Sequence, residues 1–138
     1  GAVATGTTIL PFDDTIPQNT EGDQYMTLAI TPTNTNNKLK IEVVVYGANS
    51  ASGALNAALF QDSTAAALAC GSEEENAVSF FHCVKFTHYM TAGTVSATTF
   101  KVRAGGTTAG TTTFNGQAGA RLFGGVLASS ITITEIAA

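Results

Sequence analysis

The sequence has 138 residues, enough for one domain that buries roughly two-thirds of its unfolded surface in a single core. Charged residues make up 12% of the chain, against a usual share of about 25%, while hydrophobic residues reach 44%, so the surface must be built from Thr, Ser, Asn and Gly. Net charge is −4, and the six basic residues (Lys38, Lys40, Lys85, Lys101, Arg103, Arg121) are scattered, which argues against phosphate neutralisation and hence nucleic acid as a partner.

The N-terminal stretch GAVATGTTILPFDD carries none of the basic residues of a signal peptide. No apolar run approaches the roughly 20 residues of a membrane helix, so membrane insertion is not expected. A chain that starts at Gly1 without Met is expected to be the later part of a longer protein. Next, FDDTIPQNTEGDQ gathers Asp13, Asp14, Glu21 and Asp23, oxygen donors that could hold calcium. Their spacing is not that of an EF-hand loop, and turn and solvation roles are expected instead.

Strand signals follow in series, with alternating apolar residues and turn clusters every 8 to 15 residues or so. QYMTLAI places Met26, Leu28 and Ile30 on one face and Tyr25, Thr27 and Ala29 on the other, before the turn TPTNTNN. KLKIEVVVYG puts Leu39, Ile41, Val43 and Val45 on one face; the other begins charged with Lys38, Lys40 and Glu42 and ends apolar with Val44 and Tyr46. GALNAALFQDSTAAALAC has the Ala and Leu content of a helix, but its break at Asp62, Ser63 and Thr64 is a turn signal, so strand, turn, strand is expected.

AVSFFHCVKFTHYMT is again apolar on both sides, with Val78, Phe80, His82, Val84, Phe86, His88 and Met90 on one face and Phe81, Cys83, Lys85 and Tyr89 on the other. A sandwich interior accounts for one face. The second implies burial too, and a neighbouring subunit is the expected cover. TTFKVRAG, a short strand at Thr112 to Asn115 inside a glycine-punctuated loop anchored by Phe114, Leu122 and Phe123, and SITITEI complete about eight strands. In the last, Ile131 and Ile133 oppose Ser130, Thr132 and Thr134.

Between Cys70 and Cys83 lies GSEEENAVSFFH. A turn centred on Glu73 and Glu74 sets Cys70 opposite a residue near Ala77 and leaves Cys83 several residues further on. Bridging needs Cα atoms within about 7 Å, so two free, buried thiols are expected unless a bulge joins them. His82 and His88 are about 20 Å apart along a strand, too far to share a metal; an ion would need a threefold axis, where a His meets two copies of itself. Glu73, Glu74 and Glu75 read as a solvated loop tip. The glycines form no P-loop, no Gly-x-Ser-x-Gly elbow occurs, and the paired carboxylates of glycoside hydrolysis are not in place. Neither enzymatic activity nor a cofactor is expected.

The closing TTTFNGQAGARLFGGVLASSITITEI resembles the C-terminal ends of tail-fibre and related virion proteins of tailed bacteriophages. ILPFDDTIPQNTEGDQYMTLAITPTNTNNKLKIEV and VKFTHYMTAGTVSATTFKVRAG look like the same family, so the resemblance spans most of Thr7 to Ala138. It implies an all-β, antiparallel sandwich of jelly-roll type, similar to the globular heads of the complement and tumour-necrosis-factor families, assembled as a homotrimer. Residues 1–138 would then form a single domain at the C-terminal part of a fibre protein, located in the virion.

The function expected on that basis is a distal tail-fibre or receptor-binding domain contacting a host surface glycan or protein. The alternative is a trimerising cap or capsid decoration with no receptor. ANSASG and CGSEEEN resemble the family least, which makes Asn49, Ser50, Ser52, Glu73, Glu74, Glu75 and Asn76 the candidate surface-contact residues. Tyr46, Phe81 and Tyr89, on the second apolar faces, are the candidate trimer contacts.

Overall fold

The alternation in KLKIEVVVYG becomes the central strand of the fold. In the computed structural model, which describes residues 1–74 and 77–138, β3 runs over Lys38–Asn49 after β1 (Ala4–Gly6) and β2 (Asp23–Ile30). Its Leu39, Ile41, Val43 and Val45 are at most 1% exposed. The later strands are β4 (Leu55–Gln61), β5 (Ala69–Glu73), β6 (Phe81–Thr91), β7 (Thr98–Gly106), β8 (Thr112–Phe114), β9 (Gly116–Gln117), β10 (Ala120–Arg121) and β11 (Ser130–Ile136).

Two antiparallel sheets face each other. In the first, β6 pairs with one edge of β3, while β11 and β8 lie end to end along the other edge, with β1 outside β8. The second has the order β2-β7-β4-β5. The chain changes sheet at β1 to β2, β2 to β3, β3 to β4, β5 to β6, β6 to β7 and β7 to β8; of β1 to β8 among the described residues, only β4 and β5 follow one another within a sheet. This is a jelly-roll sandwich. The tiny β9–β10 hairpin and the short β1 and β8 raise the strand number above the eight expected from sequence.

Phe100, Val102 and Ala104 of β7 and Leu55, Ala57 and Leu59 of β4 meet the β3 side chains in the core. The segment with helical composition is the β4–β5 hairpin, turned at Asp62 (φ 51°). The Asp62 carboxylate accepts 2.8 Å hydrogen bonds from Thr99 N and Thr98 Oγ1, and these hold it below its ordinary pKa. β4 is buried on both faces, and its second cover comes from its own chain. Leu10, 1% exposed, packs on Ala58 and Phe60, while Pro17 and Asn19 hydrogen-bond to Ala67 and Ala65. Residues 8–19 thus strap the outside of the second sheet.

Several sequence expectations are corrected. A bulge between Gln24 and Met26 turns Tyr25 to the same side as Met26, so both pack against the core. The Tyr25 ring stacks on Phe114 at 4.7 Å. Leu28, which the alternation sets on one face with Met26 and Ile30, is 38% exposed at the edge of the sandwich. β5 and β6 form no hairpin but lie in different sheets. Cys70 pairs across from outward-facing Ala58, and Cys83 from outward-facing Tyr46, so the two thiols lie on opposite outer faces. Both are free, as expected, but neither is buried: Cys70 is exposed and Cys83 half-buried. Gly71 lets β5 close the edge against β6, since a Cβ there would lie 2.8 Å from the Phe86 ring.

At the end of the chain, Ile131 and Ile133 pack on the core, whereas Ile136 points outward at 42% exposure. Glu135 takes the third inward position, opposite Leu39. Its Oε1 accepts from Asn37 Nδ2 at 2.7 Å and from Thr33 N at 2.8 Å. These bonds, led by Asn37, lower its pKa.

Candidate functional site

Of the four carboxylates considered as calcium ligands, Asp13, Glu21 and Asp23 are each used singly. Asp13 accepts from Thr15 N, Glu21 from Gln18 N, and Asp23 from Thr8 N and Oγ1. Among the described residues, no three His, Cys, Asp or Glu side chains gather as metal ligands, and no helix is long and apolar enough to cross a membrane. His82 and His88 pair across from Gly47 and Ile41 on the core side of β6. His82 is 2% exposed and meets Phe80 edge-on. Facing inward, neither imidazole is placed to meet symmetry copies across the sheet's outer face.

That outer face is the first feature that stands out. Strand alternation directs Ser130, Thr132 and Thr134 of β11, Lys40, Glu42, Val44 and Tyr46 of β3, and Phe81, Cys83, Lys85 and Tyr89 of β6 away from the core. The second sheet is strapped by residues 8–19; this one is open over most of its area. Lys40 and Glu42 form an ion pair at 2.8 Å, and the hydrogen bond to Glu42 raises the Lys40 pKa. The Tyr46 and Phe81 rings stack with centroids 6.1 Å apart and planes at 7°. They are diagonal neighbours, because Phe81 pairs with Ala48 and Tyr46 with Cys83.

Of the three candidate trimer contacts, the structure therefore joins Tyr46 and Phe81. Tyr89, 60% exposed, shares the face but sits across from Lys40, six positions and about 20 Å along β3. Phe123 departs from expectation: read as an anchor, it is 73% exposed. The signal in the sequence is the Gly124-Gly125 pair that follows it, which marks a turn rather than a buried segment.

The second feature is one end of the sandwich. Ser50 N donates to Thr111 O, Thr107 N to Ala54 O, Ser79 N to Asn49 O, and Gln117 Nε2 to Ser79 O. These bonds draw the loops after β3, β5 and β7 and the β9–β10 hairpin into one cluster. Ser50 and Ser52 are exposed there. A cleft of about 270 Å³ opens between Ser50, Thr111, Thr113, Ala118 and Gly119. Asn49 is corrected: it is 3% exposed, with Nδ2 donating to Thr108 O and Oδ1 accepting from Ala51 N, so it builds the loop instead of contacting a partner. Glu73 ends β5 with its carboxylate on Cys83 N, at the edge of the sandwich, and Glu74 is exposed beside it. Glu75 and Asn76 lie outside the described residues. Compared with known proteins, the chain is matched by no family model, and no curated protein matches its sequence.

Proposed function

We propose that this chain is a homotrimeric structural domain of a tailed-bacteriophage virion, placed distally on a fibre and contacting the host cell surface. The observation that carries the reading is the open outer face of the β11–β3–β6 sheet, with the Tyr46–Phe81 stack on it, in a molecule whose other sheet is strapped over β4 by its own chain. A face with an aromatic pair and Val44 at one end, on a weakly charged protein, suits a second copy. The jelly-roll topology agrees with the fold that the sequence resemblance implies.

Assembly through that face brings three copies of the loop cluster together. Its polar groups, Ser50, Ser52 and Thr111, suit hydrogen bonding to saccharide hydroxyls, and three weak sites acting together gain avidity. The domain works by shape and multivalency, not by catalysis. The test is adsorption: a fluorescently labelled domain labels host bacteria, and substitution of Ser50 and Thr111 reduces the labelling. Labelling of the parent particle's capsid in place of cells would instead establish the cap or decoration role.

A further inference from the structure

A cleft of about 330 Å³ opens on the outside of the second sheet, toward the Asp62 turn and away from the end that carries the loop cluster. Lys101 and Arg103 enter it from β7, two positions and about 7 Å apart on the face turned away from Phe100, Val102 and Ala104. Both are half-buried, and neither makes an ion pair among the described residues. A cation withdrawn from water is ordinarily matched by a carboxylate. Neutral backbone carbonyls hold these two instead. Arg103 donates from Nε to Glu21 O at 2.8 Å and from Nη2 to Gly22 O at 2.7 Å, and Lys101 Nζ donates to Asp62 O at 2.7 Å. The guanidinium is thus fixed in place by two of its five N–H donors, with its charge unmatched.

Among the described residues lining the cleft, Asp62 is the one carboxylate, and its two oxygens already accept from Thr98 Oγ1 and Thr99 N. The rest of the lining is uncharged and able to hydrogen-bond: the Gln24 amide from β2, the Asn19 amide from the strap and the Ser63 hydroxyl from the turn, above the buried Phe60 ring. On a chain of net charge −4, two such cations make the cleft a local attractor for anions.

We propose that this cleft binds an acidic saccharide, holding the carboxylate of a hexuronate-type unit on Arg103 and Lys101. Arg103 supplies the planar fork that matches a carboxylate, and Lys101 a second charge beside it. Gln24, Asn19 and Ser63 offer both donors and acceptors to the ring hydroxyls. The volume lies at the lower end of small-ligand sites and suits one sugar ring. The cleft lies within one chain and needs no trimer; the choice of a saccharide over another carboxylate rests on the host-surface reading above.

An NMR titration of the isotope-labelled full chain with glucuronate tests this. Glucuronate is expected to shift the side-chain signals of Asn19, Gln24 and Arg103 and to saturate in the millimolar range, with glucose and inorganic sulfate weaker by about 10-fold or more. Lys101 and Arg103 also tie loops, so the diagnostic changes are made at Ser63, which is exposed in the turn. Ser63→Asp sets a carboxylate in the cleft and is expected to weaken glucuronate by about 10-fold or more with an unchanged melting temperature; Ser63→Lys tightens it. Lys38→Gln removes an exposed cation of the other sheet and leaves the affinity unchanged, which separates the cleft from net charge. Sulfate or glucose binding as tightly as glucuronate overturns the proposal, as does a titration without saturable shifts at these residues. Failure of glucuronate with a domain that still labels host cells leaves the host-surface reading standing. Glucuronate binding that Ser63→Asp removes, in a domain that labels no cells, supports the site and overturns that reading.

Discussion

Asn115 and Ser129 close the gap in the first sheet where β8 ends and β11 begins. Both the amide and the hydroxyl of Ser129 donate to Asn115 Oδ1, at 2.7 and 2.8 Å, and the Ser129 hydroxyl accepts from Tyr46 N at 2.8 Å. Asn115 is 4% exposed, holds φ at 56°, and donates from Nδ2 to Ala2 O at 3.0 Å. One side chain thereby fastens the start of the chain, the base of the excursion and the last strand. Asn115→Ala is expected to cost about 2–4 kcal/mol, from buried donors left unsatisfied and from alanine in a left-handed conformation. Chemical denaturation measures it, and a loss below about 0.5 kcal/mol would show that the junction holds without Asn115.

The terminal strand carries a second expectation. Truncation after Ser129 removes Ile131 and Ile133 from the core, worth about 3–6 kcal/mol together, and exposes the β3 edge from Lys38 to Val44. Such a protein is expected to aggregate on expression. Removing only Ala137 and Ala138 forfeits the 3.1 Å bond from Ala138 N to Asn37 Oδ1 and is expected to change stability by less than about 1 kcal/mol. A soluble, cooperatively melting protein ending at Ser129 would show that β11 is an appendage.

Acid stability follows from Glu135 and Asp62. Both are held below their ordinary values of 4.5 and 3.8, so each stabilises the fold above its unfolded pKa. That contribution is lost as pH falls through the folded-state value. The Tm is therefore expected to fall as pH drops below about 4.5, and Glu135→Gln, with no charge to titrate, to flatten the decline. Parallel melting curves for wild type and Glu135→Gln would show that this contact does not contribute.

The thiols offer a check on topology. With Cys70 and Cys83 on opposite outer faces, Cys70 is expected to be alkylated in the native assembly without prior reduction, and Cys83, beside Tyr46 in the proposed contact, to follow only as the subunits dissociate. Cys70 should react faster because it is exposed. An intramolecular disulfide in the native protein would contradict the assignment of β5 and β6 to different sheets.

Strand periodicity was legible because each alternating strand has one face in the core: Leu39 to Val45, Phe100 to Ala104, and Ile131 with Ile133 all fell as their pattern implies. The Tyr46–Phe81 face was legible for the same reason, since apolar residues on both sides of β3 and β6 are unusual in a simple sandwich. The cover over β4 was not, because Leu10 acts from a segment with no period. Tyr25 was misplaced by a bulge that leaves no mark in the alternation. Glu135 reads as an ordinary polar residue until the turn at Thr33 and Asn37 folds against it. Cys70 and Cys83 are free as expected, but their burial was misjudged because a crossover between sheets looks, in sequence, like a hairpin turn.

Self-association through the outer face of the β11–β3–β6 sheet is most directly tested by equilibrium sedimentation of wild type beside Tyr46→Asp and Phe81→Asp. The wild type is expected at three times the chain mass of 14.1 kDa, with a melting temperature that rises with concentration because folding and association are linked. Each Asp variant is expected at the single-chain mass, still folded, because it places a charge in the buried centre of the contact. A wild type that sediments at 14.1 kDa at every concentration, with a concentration-independent melting temperature, would contradict the account.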